Sequence, residues 1–177
     1  ILAYAENKEY EKMTGFIEEI MGEGGMVIAS ISNSGNIVID SLIGYWYVTA
    51  QNKRIIFKTD ICIPMIMPFK GADLSLILGN LLENAIEACT RQTSGNKKEI
   101  TLNAKENGYM WMVSIENTYD GRLRCRGEKF ISSKRTNATV GIGIESVRKI
   151  LKEHDSSLDI FPEDHLFRAG FLLPLQP

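Results

Sequence analysis

Two asparagines four residues apart, Asn80 and Asn84, stand in the middle of a run built like a helix. Positions i and i+4 lie on one helix face, so the pair presents two neutral carboxamides one turn apart. Leu74, Ile77, Leu78, Leu81, Leu82, Ala85, Ile86 and Cys89 recur at helical spacing and form an apolar stripe. Asn80, Glu83, Asn84 and Glu87 fall within an arc of roughly 100° on the other side. Asn is a mediocre helix former, and Lys, Gln or Glu would serve a merely solvated face better. The pair therefore reads as something more than a solvated face.

Downstream, Gly141-Ile142-Gly143-Ile144 leads into Glu145 to Glu153, where Ile142, Val147, Ile150 and Leu151 share a face. Glycines ahead of a helix let backbone N–H groups approach an anion, and the helix N-terminus favours negative charge. Such a pair alone is common in turns; it gains weight by following the double-Asn helix. Between the two elements, Arg122, Arg124, Arg126, Lys129, Lys134 and Arg135 face only Asp120 and Glu128, in a chain of net charge −2. Charge alone leaves this basic loop open to two readings, an anion-binding element or a solvated loop.

In this order the two elements resemble the GHKL ATPase superfamily, whose nucleotide-binding unit is the Bergerat fold. More narrowly, the chain is similar to the peptide-pheromone (quorum-sensing) receptor type of bacterial sensor histidine kinase. The matching residues are Gly79 through Cys89, then Ile115-Glu116-Asn117, Ser133-Lys134 and Gly141 through Val147, with Gly170 through Leu175 resembling the closing strand. The resemblance implies a two-layer α/β sandwich, a mixed sheet covered by helices on one face. It implies binding of ATP and Mg²⁺ and transfer of the γ-phosphoryl group to a histidine.

By resemblance, Asn84 holds Mg²⁺, and Asn80 reaches the same ion or the phosphates. Members that hydrolyse ATP commonly carry Glu at the earlier position; Asn cannot act as a base, which favours transfer to a protein over transfer to water. Asn117 occupies the place of an Asp that accepts from the adenine amino group, and its oxygen can still accept. Asp120 is a second candidate reader. Many histidine kinases place a Lys three residues after the magnesium Asn, where this chain has Glu87. Lys134 or Arg135 is then the expected phosphate cation, beside the backbone of Gly141, Ile142 and Gly143.

The chain has 177 residues, 44% hydrophobic and 24% charged, as expected for one globular domain and an appendage. No run of about 18 apolar residues occurs. Cys62, Cys89 and Cys125 lack metal-ligand spacing and fit a reduced, cytoplasmic setting. Ile1 rather than Met at the start reads as a piece of a longer protein, with any membrane anchor upstream.

Ile1 to Ala5, Tyr10 to Met21 and Asn36 to Asn52 read as helices, making 1–52 a helical remnant of a dimerisation region before an ATP-binding unit at 53–177. Arg54 to Ile63 reads as a strand, Asp73 as a cap of the double-Asn helix, and Gln92 to Lys97 as a loop. Strands at Glu99–Lys105 and Tyr109–Ile115 flank Asn107-Gly108, a hairpin signal. Ser157–Phe161 and Phe167–Leu173 form a last hairpin, and the strands read as antiparallel in sequence order. The aperiodic stretch from Thr118 to Val140 reads as a mobile lid, with Phe130 as its anchor.

His154, at a helix end, and His165, in a turn, are the only histidines, and neither lies on an N-terminal helix. The phosphoacceptor is thus expected upstream of Ile1, in a homodimer that serves a response regulator; no nucleic-acid partner is expected. Two rivals remain: a serine kinase of the anti-sigma-factor kind, disfavoured by the N-terminal helical segment, and a non-catalytic dimerisation module, disfavoured by Asn84, Gly141 and Gly143.

Overall fold

A computed structural model describes residues 36–63, 67–93, 96–122, 125–126, 129–130 and 142–175. The expected helices before Asn36 lie outside the described residues. Helix α1 (Ile37–Asn52) begins at Asn36, whose side chain accepts from the backbone N–H groups of Val38 and Ile39 at 3.2 and 3.3 Å. It ends in a turn through Arg54, at a φ of 56°, and the chain enters strand β1 (Ile56–Ile61).

Helix α2 (Gly71–Arg91) carries the double-Asn run, and every member of the expected apolar stripe is buried, with Ala88 added. The N-cap is Lys70, without a side-chain bond, so Asp73 is not the cap. The helix starts two residues before Asp73, where Gly71 lets α1 come close: a Cβ there would sit 3.4 Å from Val38. Asp73 lies in the first turn, where a carboxylate suits the helix dipole.

Strands β2 (Glu99–Asn107) and β3 (Met110–Thr118) form the expected hairpin. Its two-residue loop is Gly108–Tyr109, one residue later than the Asn-Gly signal, with Gly108 at φ 63°. Glycine at the first central position is what a type II′ turn requires. A short pair, β4 (Cys125–Arg126) and β5 (Lys129–Phe130), precedes helix α3 (Ile142–Glu153). Strands β6 (Asp159–Glu163) and β7 (Leu166–Pro174) close the chain as the last hairpin.

The five long strands order as β1-β2-β3-β7-β6. The sheet is mixed, as the resemblance implies: β1 runs parallel to β2, although the strands read as antiparallel in sequence order. A parallel neighbour needs a crossover, and α2 supplies it. Ile100, Leu102 and Ala104 of β2, Trp111, Val113 and Ile115 of β3, and Ala169, Phe171 and Leu173 of β7 point to the helices and are buried. Against them pack Ile77, Leu78, Leu82 and Ala85 of α2, Ile39 and Ile43 of α1, and Val147 and Leu151 of α3. Helices on one face and solvent on the other make the expected two-layer sandwich. The Trp111 indole N–H donates to the Cys62 carbonyl at 3.1 Å, which satisfies its buried polar edge.

Candidate functional site

Strand alternation aims Asn117 inward. It follows Trp111, Val113 and Ile115 on the covered face of β3 and is 3% exposed. A polar side chain at the end of an apolar row needs a partner. Asn117 Nδ2 donates to the Thr118 carbonyl at 2.9 Å. A carbonyl only accepts, so the amide nitrogen is committed there and Oδ1 is the end offered to a ligand.

Next to Asn117 lies a knot that reading for motifs missed. The Thr118 hydroxyl accepts from Gln92 Nε2 at 2.7 Å and from the Glu99 backbone N–H at 3.1 Å. The Thr118 carbonyl also takes the Cys89 thiol at 3.3 Å. Gln92, expected in a loop, is 6% exposed at the C-cap of α2. Burial pushes the Cys89 thiol above its ordinary range, against the smaller opposing effect of these hydrogen bonds, so it is an inert structural thiol. The knot pins the end of α2 to the end of β3. Asn84 lies five residues before Cys89 on α2, about 7.5 Å by helical rise.

Asn80 and Asn84 are both half-buried. Asn80 Nδ2 donates to the Leu76 carbonyl at 2.7 Å, and its Oδ1 lies where a Cβ on Gly143 would be 2.9 Å away. The two motifs separated by sixty residues of sequence therefore touch. Asn84 buries its Nδ2 without a hydrogen-bond partner among the described residues, leaving the carbonyl oxygen as the end it can present. A buried amide nitrogen with no bond carries a desolvation penalty of about 1–3 kcal/mol, tolerated where a site is built for something else.

Helix α3 runs back along α2. Its first turn meets Asn80, and His154, just past its end, sets Nε2 3.1 Å from the Asp73 carboxylate. The His154 ring also packs edge-on against Phe69, with centroids 5.0 Å apart. His154 thus closes the last turn of α3 with its backbone N–H, which donates to the Leu151 carbonyl at 3.0 Å, and is fastened to α2 by its side chain. The positive end of the α3 dipole lies beside the turn of α2 that carries Asn80, where negative charge would be favoured.

The start of the expected lid is fixed in place. Tyr119 is 4% exposed, its N–H donates to the His165 carbonyl at 2.9 Å, and its ring meets Phe167 edge-on. Burial, with the charges of Asp120 and Asp164, pushes its hydroxyl pKa up. Asp120 accepts from the Arg122 N–H at 3.1 Å, which ties it into the turn rather than to Asn117. Lys134, Arg135 and Gly141, and the rest of the expected lid from 131 onward, lie outside the described residues. Ile142 is described only as the first residue of α3. Among the described residues no cluster of three or more His, Cys, Asp or Glu is placed to hold a metal, and no helix is long and apolar enough to cross a membrane.

A family model described as the GHKL domain matches residues 69–174. No curated protein matches the chain. Among solved structures, the catalytic domain of histidine kinase ThkA superposes with a TM-score of 0.61 at 21% identity, covering 81% of this chain and 96% of that one. Acinetobacter baumannii histidine kinase AdeS gives 0.57 at 11% identity, covering 79% and 64%. The histidine kinase domain of the Erythrobacter litoralis EL346 blue-light activated kinase gives 0.53 at 12%, covering 82% and 64%. The chain thus spans under two thirds of the AdeS structure, and these likenesses establish a shared fold.

Proposed function

Because the chain belongs to the GHKL domain family, we propose that it is the ATP-binding catalytic domain of a two-component sensor histidine kinase. It would transfer the γ-phosphoryl group of ATP to a histidine upstream of Ile1, on the dimerisation helix of a homodimer, for onward passage to a response regulator. The observation that carries the reading is the meeting of Asn80 with Gly143, which brings the double-Asn face of α2 to the amino end of α3.

The residues fit the nucleotide and its metal. Asn84, with an unbonded buried nitrogen and an oxygen to present, is the leading ligand for Mg²⁺, and Asn80 stands one turn earlier. Magnesium, when bound, would neutralise charge on the phosphates. Asn117 Oδ1 accepts, which suits the amino group of adenine and rejects the carbonyl of guanine. Backbone N–H groups at Gly141, Ile142 and Gly143 would donate to phosphate oxygens, and Lys134 would add a positive charge. Asn80 supplies no general base, so water is a poor competitor for the phosphoryl group. Glu87, which stands where many histidine kinases have Lys, is the departure that favours the peptide-signal branch of the family. The domain would work in the cytoplasm, joined to a membrane only through an upstream region.

The test incubates radiolabelled ATP with the chain alone, with a histidine-containing upstream segment, and with an Asn84→Ala control. Label is expected only on the supplied histidine, and Asn84→Ala is expected to lose it together with the magnesium dependence of nucleotide binding. Label on a serine of the isolated chain would favour the serine-kinase alternative. Unchanged Mg-ATP binding by Asn84→Ala would refute the metal assignment.

A further inference from the structure

The first turn of α3 meets α2 at a point with no room for a side chain. A Cβ on Gly143 would come within 2.9 Å of Asn80 Oδ1, 3.5 Å of its Cγ and 3.7 Å of its Cβ. The carboxamide is held: Nδ2 donates to the Leu76 carbonyl at 2.7 Å, which turns the oxygen to the other side, onto Gly143. Crowding is not general here, since a Cβ on Gly79, beside Asn80, would meet nothing within 4 Å. Backbone conformation does not explain the glycine either. Gly143 lies within α3 and is absent from the glycines with positive φ, Gly108 and Gly121. Alanine would favour the helix there, so the position carries a penalty, and Asn80 occupies the space that the glycine leaves.

We propose that Gly143 is a notch that seats the Asn80 carboxamide, which makes it a positioning residue for the polar face of α2. The functional part rests on the nucleotide-binding reading above; the steric part stands without it. Asn80 Oδ1 is the tip of a flexible side chain, so alanine at 143 would not unfold the domain. It would swing the carboxamide off the Leu76 carbonyl and away from the end of α3. Gly143→Ala and Asn80→Ala then remove the same thing, an oriented amide between the two helices. A glycine serving only close approach of phosphate to backbone would instead act independently of residue 80.

The experiment is a double-mutant cycle on Gly143→Ala and Asn80→Ala, with two readouts. The first is affinity for a fluorescent ATP analogue, with Mg²⁺ and with EDTA. Each single variant is expected to weaken Mg²⁺-supported binding about tenfold, and the double variant to be within about twofold of either single one. Binding in EDTA should change little, which a general structural defect would not spare. The second readout is the unfolding midpoint without nucleotide. In the Asn80→Ala background Gly143→Ala should raise it by a few degrees, as an unobstructed glycine-to-alanine exchange in a helix does, and in the parent that gain should vanish. Losses that multiply, or an equal gain in both backgrounds, would overturn the proposal. A parent that binds no nucleotide would refute the functional reading, while the midpoints would still decide the notch.

Discussion

The two faces of the five-stranded sheet handle polarity in opposite ways. The open face carries ion pairs: Lys58 and Lys97 flank Glu99, Lys105 meets Asp60 at 2.7 Å, and Arg168 Nε reaches Glu116 at 2.9 Å. The covered face carries a row of apolar side chains that ends in one neutral polar residue, Asn117. Charges sit where water already solvates them and their pairing adds little. Under the helices, where an unpaired charge would be costly, the chain uses amides. The lesson extends to α2, where the half-buried polar positions 80 and 84 are Asn, while Glu83 of the same arc is exposed. Were the proposed nucleotide and its counter-ion bound here, these neutral groups would leave the charge to the ligand.

The largest effect should come from the covered face. Ile115→Ala removes a side chain 2% exposed and is expected to destabilise by about 2–5 kcal/mol, measured by denaturant unfolding. Met112→Ala, on the same strand but 44% exposed on the open face, should lose less than about 1 kcal/mol. Equal losses would break the distinction between the faces.

A middle effect separates the polar end of that row from its apolar part. Asn117→Leu should leave the unfolding midpoint within a few degrees of the parent, because its hydrogen bond reaches only the neighbouring carbonyl. Affinity for an ATP analogue should nonetheless fall about tenfold, and preference over a GTP analogue should shrink with it. Preserved discrimination by Asn117→Leu would move the adenine contact elsewhere.

The smallest effect belongs to the open face. Hydrogen bonds from Lys58 and then Lys97 hold the Glu99 carboxyl below its ordinary value. A lowered folded-state pKa stabilises above the unfolded value and is lost as pH falls through the folded one. The stability of the parent relative to Glu99→Gln should therefore be greatest at neutral pH and fade below about pH 4.5. The difference should stay below about 1 kcal/mol in urea titrations across that range.

Local chemistry made part of this legible in the sequence. The stripe from Leu74 to Cys89 follows from helical periodicity, and the structure buries each of its members. Asn36 as the start of α1 and Gly108 in the hairpin loop follow from capping and turn chemistry. The direction of β1 was not legible, because strand composition is the same for parallel and antiparallel neighbours. The direction is set by the crossover through α2. Asp73 was misread for a related reason: its partner His154 is 81 residues away, and no local pattern announces such a pair. Gln92 and Thr118 show the same limit, a polar knot between elements that each looked like an ordinary end. Of the expected site, Asn80, Asn84, Asn117, Ile142 and Gly143 fall on described elements, and the contact seen among them is that of Asn80 with Gly143.

The pairing of β3 with β7 also has a kinetic side. The β2–β3 and β6–β7 hairpins close over loops of two residues each and can form early. The seam between β3 and β7 joins Asn117 to Phe167 across fifty positions and must wait for that longer loop to close. Asn117 lies on the seam, and Tyr119 is fastened to His165 just beyond it. The Asn117 end of the candidate site is therefore expected to be among the last parts of the domain to assemble, and a ligand that needs it would bind only chains that have completed that closure.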